Sequence, residues 1–144
     1  MKIVLYNPRS NAARKRIVPF SLLAIGAVLE DRFEYEIVDG NVVDDADRAL
    51  IRKVAAGVSV VGMSVMPGPQ LEDAVLRTRA LKLAHPSVKV VWGGYFATEH
   101  SEACLNSGLV DYVVRGHGES AMVELLADLS SGRDPLEKLS LIHI

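Results

Sequence analysis

Five short apolar runs, rich in β-branched residues, recur along the chain: Lys2–Tyr6, Tyr35–Val38, Val58–Ser64, Val88–Trp92 and Asp111–Val114. Most are continuously apolar rather than alternating, the pattern of strands covered on both faces. The third, Val58-Ser59-Val60-Val61-Gly62-Met63-Ser64, reads as the most central. Between the runs the periodicity turns helical. Residues 44–56 open with Asp44, Asp45 and Asp47, put Leu50, Ile51 and Val54 on one face, and close with Arg52 and Lys53 before Gly57. Acid at the positive end of the helix, base at the negative end and a glycine stop are consistent with one another. Residues 70–84 repeat the design, with Glu72 and Asp73 first, Lys82 late and Pro86 as terminator. The segment 20–30 is apolar almost all round, which predicts a well-buried helix. A short helix is expected at 101–107, ended by Gly108. The last runs over about 119–130, with Met122, Leu125, Leu126 and Leu129 inward and Gly132 beyond its end.

Strands alternating with helices through short loops require crossover connections and a parallel sheet. The expectation is an α/β fold: a five-stranded, doubly wound parallel sheet of flavodoxin-like order 2-1-3-4-5, with helices on both faces. Its ligand site is then expected at the switch point beyond the first and third strands. Residues 1–132 make one domain on this reading. Residues 133–144 have no partner element and read as a disordered or artefactual tail, or the start of a missing catalytic domain.

A chain of 144 residues is long enough to bury one core. Its formal net charge of −2 gives no electrostatic reason to expect nucleic acid or an anionic membrane as partner. Cys104 is the single cysteine, so no intramolecular disulfide can form, and the thiolates of a structural zinc or an iron–sulfur site are missing. The N-terminal apolar run is too short for a signal peptide, and no stretch approaches the roughly 20 apolar residues of a spanning helix. A cytoplasmic location is the default expectation.

Functional residues are expected on the loops that leave the strand C-termini. The first, from Asn7-Pro8-Arg9-Ser10 to Pro19, exceeds the roughly 2–6 residues of an ordinary βα connection. It carries neither a Gly-x-Gly-x-x-Gly nor a P-loop pattern, which argues against dinucleotide or nucleoside-triphosphate binding. After the third strand comes Ser64-Val65-Met66-Pro67-Gly68-Pro69-Gln70. Ser64 either caps the next helix or faces a ligand; no aspartate stands there to accept a phosphoryl group. Gly93 and Gly94, closing the fourth strand, either make a positive-φ turn or let a flat ligand approach the backbone. The fifth leads into Arg115-Gly116-His117-Gly118-Glu119-Ser120 at a helix N-terminus. There Glu119 either complements the helix dipole or meets a ligand, and His117 is either a polar loop residue or a metal ligand. Cys104 reads as a buried apolar residue, and Met63 and Met66 as packing. No catalytic constellation and no metal site can be assembled.

Taken together, these loops resemble the N-terminal cobalamin-binding domain of cobalamin-dependent radical S-adenosylmethionine enzymes. The resemblance covers roughly residues 1–132. It rests on Asn7-Pro8, on the proline-led first helix Pro19-Phe20-Ser21-Leu22-Leu23-Ala24-Ile25-Gly26, on Val38-Asp39 and on Val61-Gly62-Met63-Ser64. Its most specific pieces are Val91-Trp92-Gly93-Gly94-Tyr95-Phe96-Ala97-Thr98 and Val110-Asp111-Tyr112-Val113-Val114-Arg115-Gly116-His117-Gly118-Glu119. The resemblance implies cobalamin held between this domain and a radical S-adenosylmethionine barrel, its nucleotide tail entering near the strand ends. The implied contacts are Asn7, Ser64, Met66, Gly93, Gly94, Tyr95, Gly116, His117, Gly118 and Glu119. The basic trio Arg14-Lys15-Arg16 is then either a solvated turn or a contact with a phosphate, a corrin amide or a neighbouring domain.

Departures from the family pattern qualify the picture. The Asp-x-His-x-x-Gly motif of methionine-synthase-type cobalamin domains is absent, so no lower axial histidine is assigned. His117 stands where the family more often has glutamate. No Cys-x-x-x-Cys-x-x-Cys is present downstream, so the 4Fe-4S cluster and S-adenosylmethionine belong to a catalytic domain this chain lacks. The reading is therefore a fragment that binds and does not catalyse, from a methyltransferase or an anaerobic cyclase such as the magnesium-protoporphyrin ester cyclases. The rival is a stand-alone sensor or carrier domain that binds a corrinoid, a flavin or another planar cofactor.

Overall fold

Alternation within the first strand sorts its side chains onto the two faces of a sheet. Val4 and Tyr6 point into one core layer and Ile3 and Leu5 into the other, all of them fully buried. The computed structural model describes residues 1–10, 17–133 and 135. Its strands are β1 (Lys2–Asn7), β2 (Glu34–Asp39), β3 (Val58–Ser64), β4 (Lys89–Gly93) and β5 (Tyr112–Val113). They form one parallel sheet in the order β2-β1-β3-β4-β5, as the sequence predicts. The helices are α1 (Phe20–Leu29), α2 (Ala46–Ala55), α3 (Pro69–Ala84), α4 (Tyr95–Glu99), α5 (Ser101–Asn106) and α6 (Gly118–Ser130).

One core layer joins Val4, Tyr6, Val61, Met63, Val90 and Trp92 of the sheet to Leu50 of α2 and to Ala74 and Leu81 of α3. The other joins Ile3, Leu5, Val60 and Val91 to Leu22 and Leu29 of α1 and to Met122, Leu125 and Leu126 of α6. The helix ends obey the expected chemistry: the Asp45 carboxylate accepts the Arg48 amide at 2.9 Å, and Pro69 begins α3 after Gly68 at φ +87°.

Three details depart from the sequence reading. The well-buried helix expected at 20–30 is buried only along Leu22, Gly26 and Leu29, while Phe20 stays 75% exposed and Leu23 is exposed too. A helix on a sheet hides one stripe, and among the described residues nothing covers the opposite one. The fifth strand is two residues long, because the Asp111 side chain replaces part of its ladder by accepting the Val90 amide (2.7 Å) and Lys82 Nζ (2.6 Å). Residues 95–99, to which the sequence pattern assigns no element, form α4. The Arg14-Lys15-Arg16 trio, residue 134 and residues 136–144 lie outside the described residues.

Polar tethers on the α2/α3 side fix the start of the first loop. The buried Tyr6 hydroxyl donates to Asp73 Oδ2 at 2.7 Å, and the Arg9 amide donates to the same oxygen at 2.9 Å. Gln70 Nε2 donates to the Pro8 carbonyl (3.2 Å), and the Ser10 amide to Asn41 Oδ1 (2.9 Å). Burial, together with the hydrogen bond to Asp73, pushes the Tyr6 phenol far above its ordinary range. The β4–α4 turn is tied as firmly. The Val65 amide donates to the Gly93 carbonyl (2.8 Å) and the Phe96 amide to the Val65 carbonyl (3.1 Å). Between them Gly94 takes φ +88°, and a Cβ there would lie 2.8 Å from Val65 N and 2.9 Å from Val65 O.

These ties set the expected cost of altering them. In urea denaturation Gly94→Ala should lose about 3 kcal/mol or more, through an unfavourable φ and a clash with backbone. Gly93→Ala, whose Cβ would meet nothing closer than the Val114 carbonyl at 3.5 Å, should stay within about 1 kcal/mol of the parent. Tyr6 bears on the alkaline limb of the stability curve. Its folded value is raised above the ordinary 10.0, so its contribution is complete below pH 10.0 and falls above it, where the unfolded chain ionises first. Tyr6→Phe should cost about 1 kcal/mol at neutral pH and flatten the loss of stability above that pH.

Candidate functional site: a cleft between α1 and α6

The sheet face beneath α1 and α6 loses its side chains toward the C-terminal edge. On β3 the residues of that face run Val60, Gly62, Ser64, and on β4 they run Val91, Gly93, with Gly62 registered against Val91 and Ser64 against Gly93. Large side chains lower down hold the two helices at a fixed height, so the missing side chains leave a cleft of about 240 Å3. Its floor is Leu5, Gly62, Ser64, Val91 and Gly93. One wall is α1, through Ser21, Leu22, Ala24 and Ile25; the other is Val114, Gly116 and the first turns of α6, with His117, Gly118, Glu119 and Met122.

The lining is mostly apolar, with polar groups gathered at the rim. Ser21 Oγ donates to Ser64 Oγ at 3.1 Å across the mouth, so Ser64 faces the cleft and a first-helix hydroxyl. His117 and Glu119 are the ionisable residues of the lining. Glu119 sits in the first turn of α6, where a carboxylate complements the helix dipole. No side chain caps that helix, so its first amides remain available to an acceptor from the cleft.

Of the ten residues nominated from sequence, the structure brings seven together around this cleft: Ser64, Gly93, Gly94, Gly116, His117, Gly118 and Glu119. The other three lie outside its lining. The Asn7 side chain is engaged within the fold, donating to Asp39 Oδ1 at 3.0 Å and accepting from Gln70 Nε2 at 3.4 Å. Met66 is exposed on the loop after β3, and Tyr95 is exposed at the start of α4.

The four nominated glycines do different things. Gly94 makes the β4–α4 turn. Gly116, at φ +64°, turns toward α6 while its amide donates to Thr98 Oγ1 at 2.9 Å. Gly118 allows close packing, since a Cβ there would stand 3.1 Å from Ile25 Cδ1 and 3.2 Å from Val114 Cγ1. Gly93 alone has neither a positive φ nor a close approach to require it: a Cβ there would make only ordinary contact with Val114, its carbonyl at 3.5 Å, on the floor of the cleft.

Sequence reasoning missed Gly62, Ser21, Ile25 and Met122. A Cβ on Gly62 would meet Leu5 Cδ2 and Met122 Cε, each at 3.3 Å, so this glycine deepens the floor. Its signal was the alternation Val60-Gly62-Ser64 within a strand otherwise rich in valine; the helical residues carried none, because their facing depends on packing. Cys104 is buried, which pushes its thiol above the ordinary range and away from nucleophilic use. Among the described residues no group of three or more His, Cys, Asp or Glu is placed to hold a metal ion, and no helix is long and apolar enough to cross a membrane.

The architecture has counterparts in known proteins. The chain is 26% identical over 143 residues to the anaerobic magnesium-protoporphyrin IX monomethyl ester cyclase of Synechocystis, an alignment covering 93% of this chain and 29% of the cyclase. It superposes with a TM-score of 0.78 and 24% identity on the radical S-adenosylmethionine methyltransferase TsrM of Kitasatospora setae, solved with cobalamin and a 4Fe-4S cluster bound. That superposition covers 92% of this chain and 25% of TsrM. The cobalamin-dependent radical enzyme OxsB, with aqua-cobalamin bound, aligns at a TM-score of 0.73 and 16% identity over 92% of this chain and 19% of OxsB. At these identities the solved structures establish the fold, and the chain spans about a quarter of the length of these larger enzymes. Residues 11–126 match the B12 binding domain, and a match over most of the chain carries more than fold: this protein belongs to the B12-binding domain family.

Proposed function

We propose that this domain binds cobalamin as the cofactor-holding module of a larger radical S-adenosylmethionine enzyme, with the nucleotide tail in the α1/α6 cleft and the corrin above its mouth. The observation that carries the proposal is the floor at Gly62, Ser64 and Gly93, where no side chain is larger than serine's, in a domain of this family. The cleft is smaller than the roughly 300–1,000 Å3 of a pocket for a drug-sized ligand, so it suits one flat heterocycle and its sugar rather than a whole corrinoid. Benzimidazole and ribose match the lining: an apolar slot for the ring, with Ser21, Ser64, His117 and Glu119 at the rim for polar atoms.

What lies beyond the slot is supported by the distribution of exposed apolar side chains. Ile17, Val18 and Phe20 precede or begin α1, Met66 comes after β3 and Tyr95 after β4, all on the edge where the cleft opens. An apolar collar at a pocket mouth suits a broad, partly apolar ligand face and a covering domain. Bound cobalamin would supply a cobalt centre able to carry an alkyl group or exchange electrons. The 4Fe-4S cluster and S-adenosylmethionine would reside in the rest of the parent, a methyltransferase or a cyclase.

Absorbance titration with hydroxocobalamin and then gel filtration tests the proposal, with co-elution and a changed corrin spectrum as the expected result. Gly93→Val adds bulk to the floor at a position with no positive-φ demand, and its Cβ would meet nothing closer than the Val114 carbonyl at 3.5 Å, so it should weaken cobalamin binding at least about tenfold while the thermal midpoint stays within a few degrees. Free cobalamin eluting apart from folded protein, or Gly93→Val binding as tightly as the parent, would reject the placement.

A further inference from the structure

Among the described residues, His117 is the basic group in the lining of this cleft, and none of them employs its side chain. It holds the N-cap position of α6 with an extended backbone (φ −72°, ψ 113°), and its side chain makes no capping hydrogen bond. It is exposed at the mouth, and the described residues offer its ring no hydrogen-bond or ion-pair partner. The lining contributed by β1, α1, β3 and β4 contains no ionisable residue, and among the described residues Glu119 is the one other ionisable group in it. Arg115 is exposed outside the lining. So is Glu99, on the short helix that steadies Gly116 through Thr98. Arg9 is drawn away, its Nε donating to the Gly40 carbonyl at 3.1 Å.

Cobalamin carries one full negative charge outside its metal centre, the phosphodiester that joins the nucleotide to the corrin side chain. With the heterocycle in the slot and the corrin above the mouth, that phosphodiester has to pass the rim. We infer that the His117 imidazole is the phosphodiester contact of this domain and makes its cobalamin affinity depend on pH. The inference rests on the reading of the cleft as the nucleotide-tail site.

The physical chemistry sets the sign. A phosphodiester stays anionic throughout the neutral range, whereas an ordinary histidine titrates near pH 6.5. The protonated ring donates a charge-assisted hydrogen bond to the anion; the neutral ring offers a weaker one or none. The complex therefore takes up a proton, and affinity rises as pH falls through the histidine range. The amides at the start of α6 carry no side-chain cap, so the helix end offers donors to the same anion as the imidazolium. Glu119, an acid beside the same mouth, keeps the rim from becoming a general anion trap.

The test uses the whole 144-residue chain with two probes, cobalamin and cobinamide, which has the corrin but no phosphate, ribose or base. Dissociation constants are measured at about pH 8 and about pH 6.5 for the parent, His117→Gln and His117→Arg. The parent should bind cobalamin about three- to fivefold tighter at the lower pH, with no such change for cobinamide. His117→Gln should remove the pH dependence, and His117→Arg should bind cobalamin tightly at both values. If His117→Gln weakens cobinamide as much as cobalamin, the ring touches the corrin or its cobalt and the phosphodiester assignment falls. An unchanged pH dependence in that variant also overturns it. If the folded parent binds cobalamin at neither pH, the cleft reading itself fails, and this inference with it.

Discussion

On the α1/α6 side of the sheet, Gly62, Ser64 and Gly93 place almost no side chain above the C-terminal ends of β3 and β4. The same face is filled lower down by Ile3, Leu5, Val60 and Val91, against which Leu22, Leu29, Met122, Leu125 and Leu126 pack. Helices are stiff, and their height over the sheet is set where the side chains are large. They cannot sag into the gap at the other end without pulling apart the packed layer. The cleft is therefore a consequence of where bulk stops, and its walls are fixed before any ligand arrives. An apolar hollow of this kind gives up dispersion contacts that a ring of the right thickness restores, which favours a flat heterocycle over water.

The opposite face is closed, and its closure positions the loops. Trp92 Nε1 donates to Thr78 Oγ1 at 3.2 Å within a buried layer, so the polar atom of the largest core side chain is satisfied. Tyr6, Asp73 and Gln70 on that side hold the beginning of the first loop, and Gln70 also accepts the Met66 amide at 3.3 Å, linking the loops after β1 and β3. With Val65 tied to Gly93 and Phe96, these bonds carry positional information from the closed face to the open edge. The cleft-facing side chain of Ser64 is then spared that positioning role and bonds only across the mouth to Ser21 among the described residues.

The strand order was legible because continuous apolar runs separated by capped helical segments admit few arrangements. The seven nominated residues that line the cleft were legible because strand C-termini in a parallel sheet converge on one edge. The misses lie where periodicity carries no information. A helix apolar on all sides gives no signal of which stripe is buried, so the exposure of Phe20 and Leu23 had to come from tertiary packing. The short strand at Tyr112–Val113 came from a side chain, Asp111, acting in place of a backbone partner. Asn7 stands at the right edge of the right strand, yet Asp39 and Gln70 claim its amide, a competition between residues far apart in sequence. Adjacent glycines were the hardest to separate. Gly93 and Gly94 read alike, while a Cβ would meet only ordinary contacts at the first and is shut out by the Val65 peptide at the second.

That division between neighbouring glycines bears on how the domain could have acquired a ligand. Gly94, Gly116 and Gly118 are demanded by turns or by close packing, so a fold of this shape keeps them whether or not anything binds. Gly93 is under no such demand, and a valine there would suit the strand better and bury more apolar surface. A β-strand that forgoes that gain at its functional edge has a reason outside its own stability. The same reasoning extends to Phe20, Met66 and Tyr95, which stay exposed at the same edge of the sheet. On the proposed reading, the slot takes one part of a large ligand and the collar another. A cofactor shared between this domain and a second body is the arrangement in which both features are favourable.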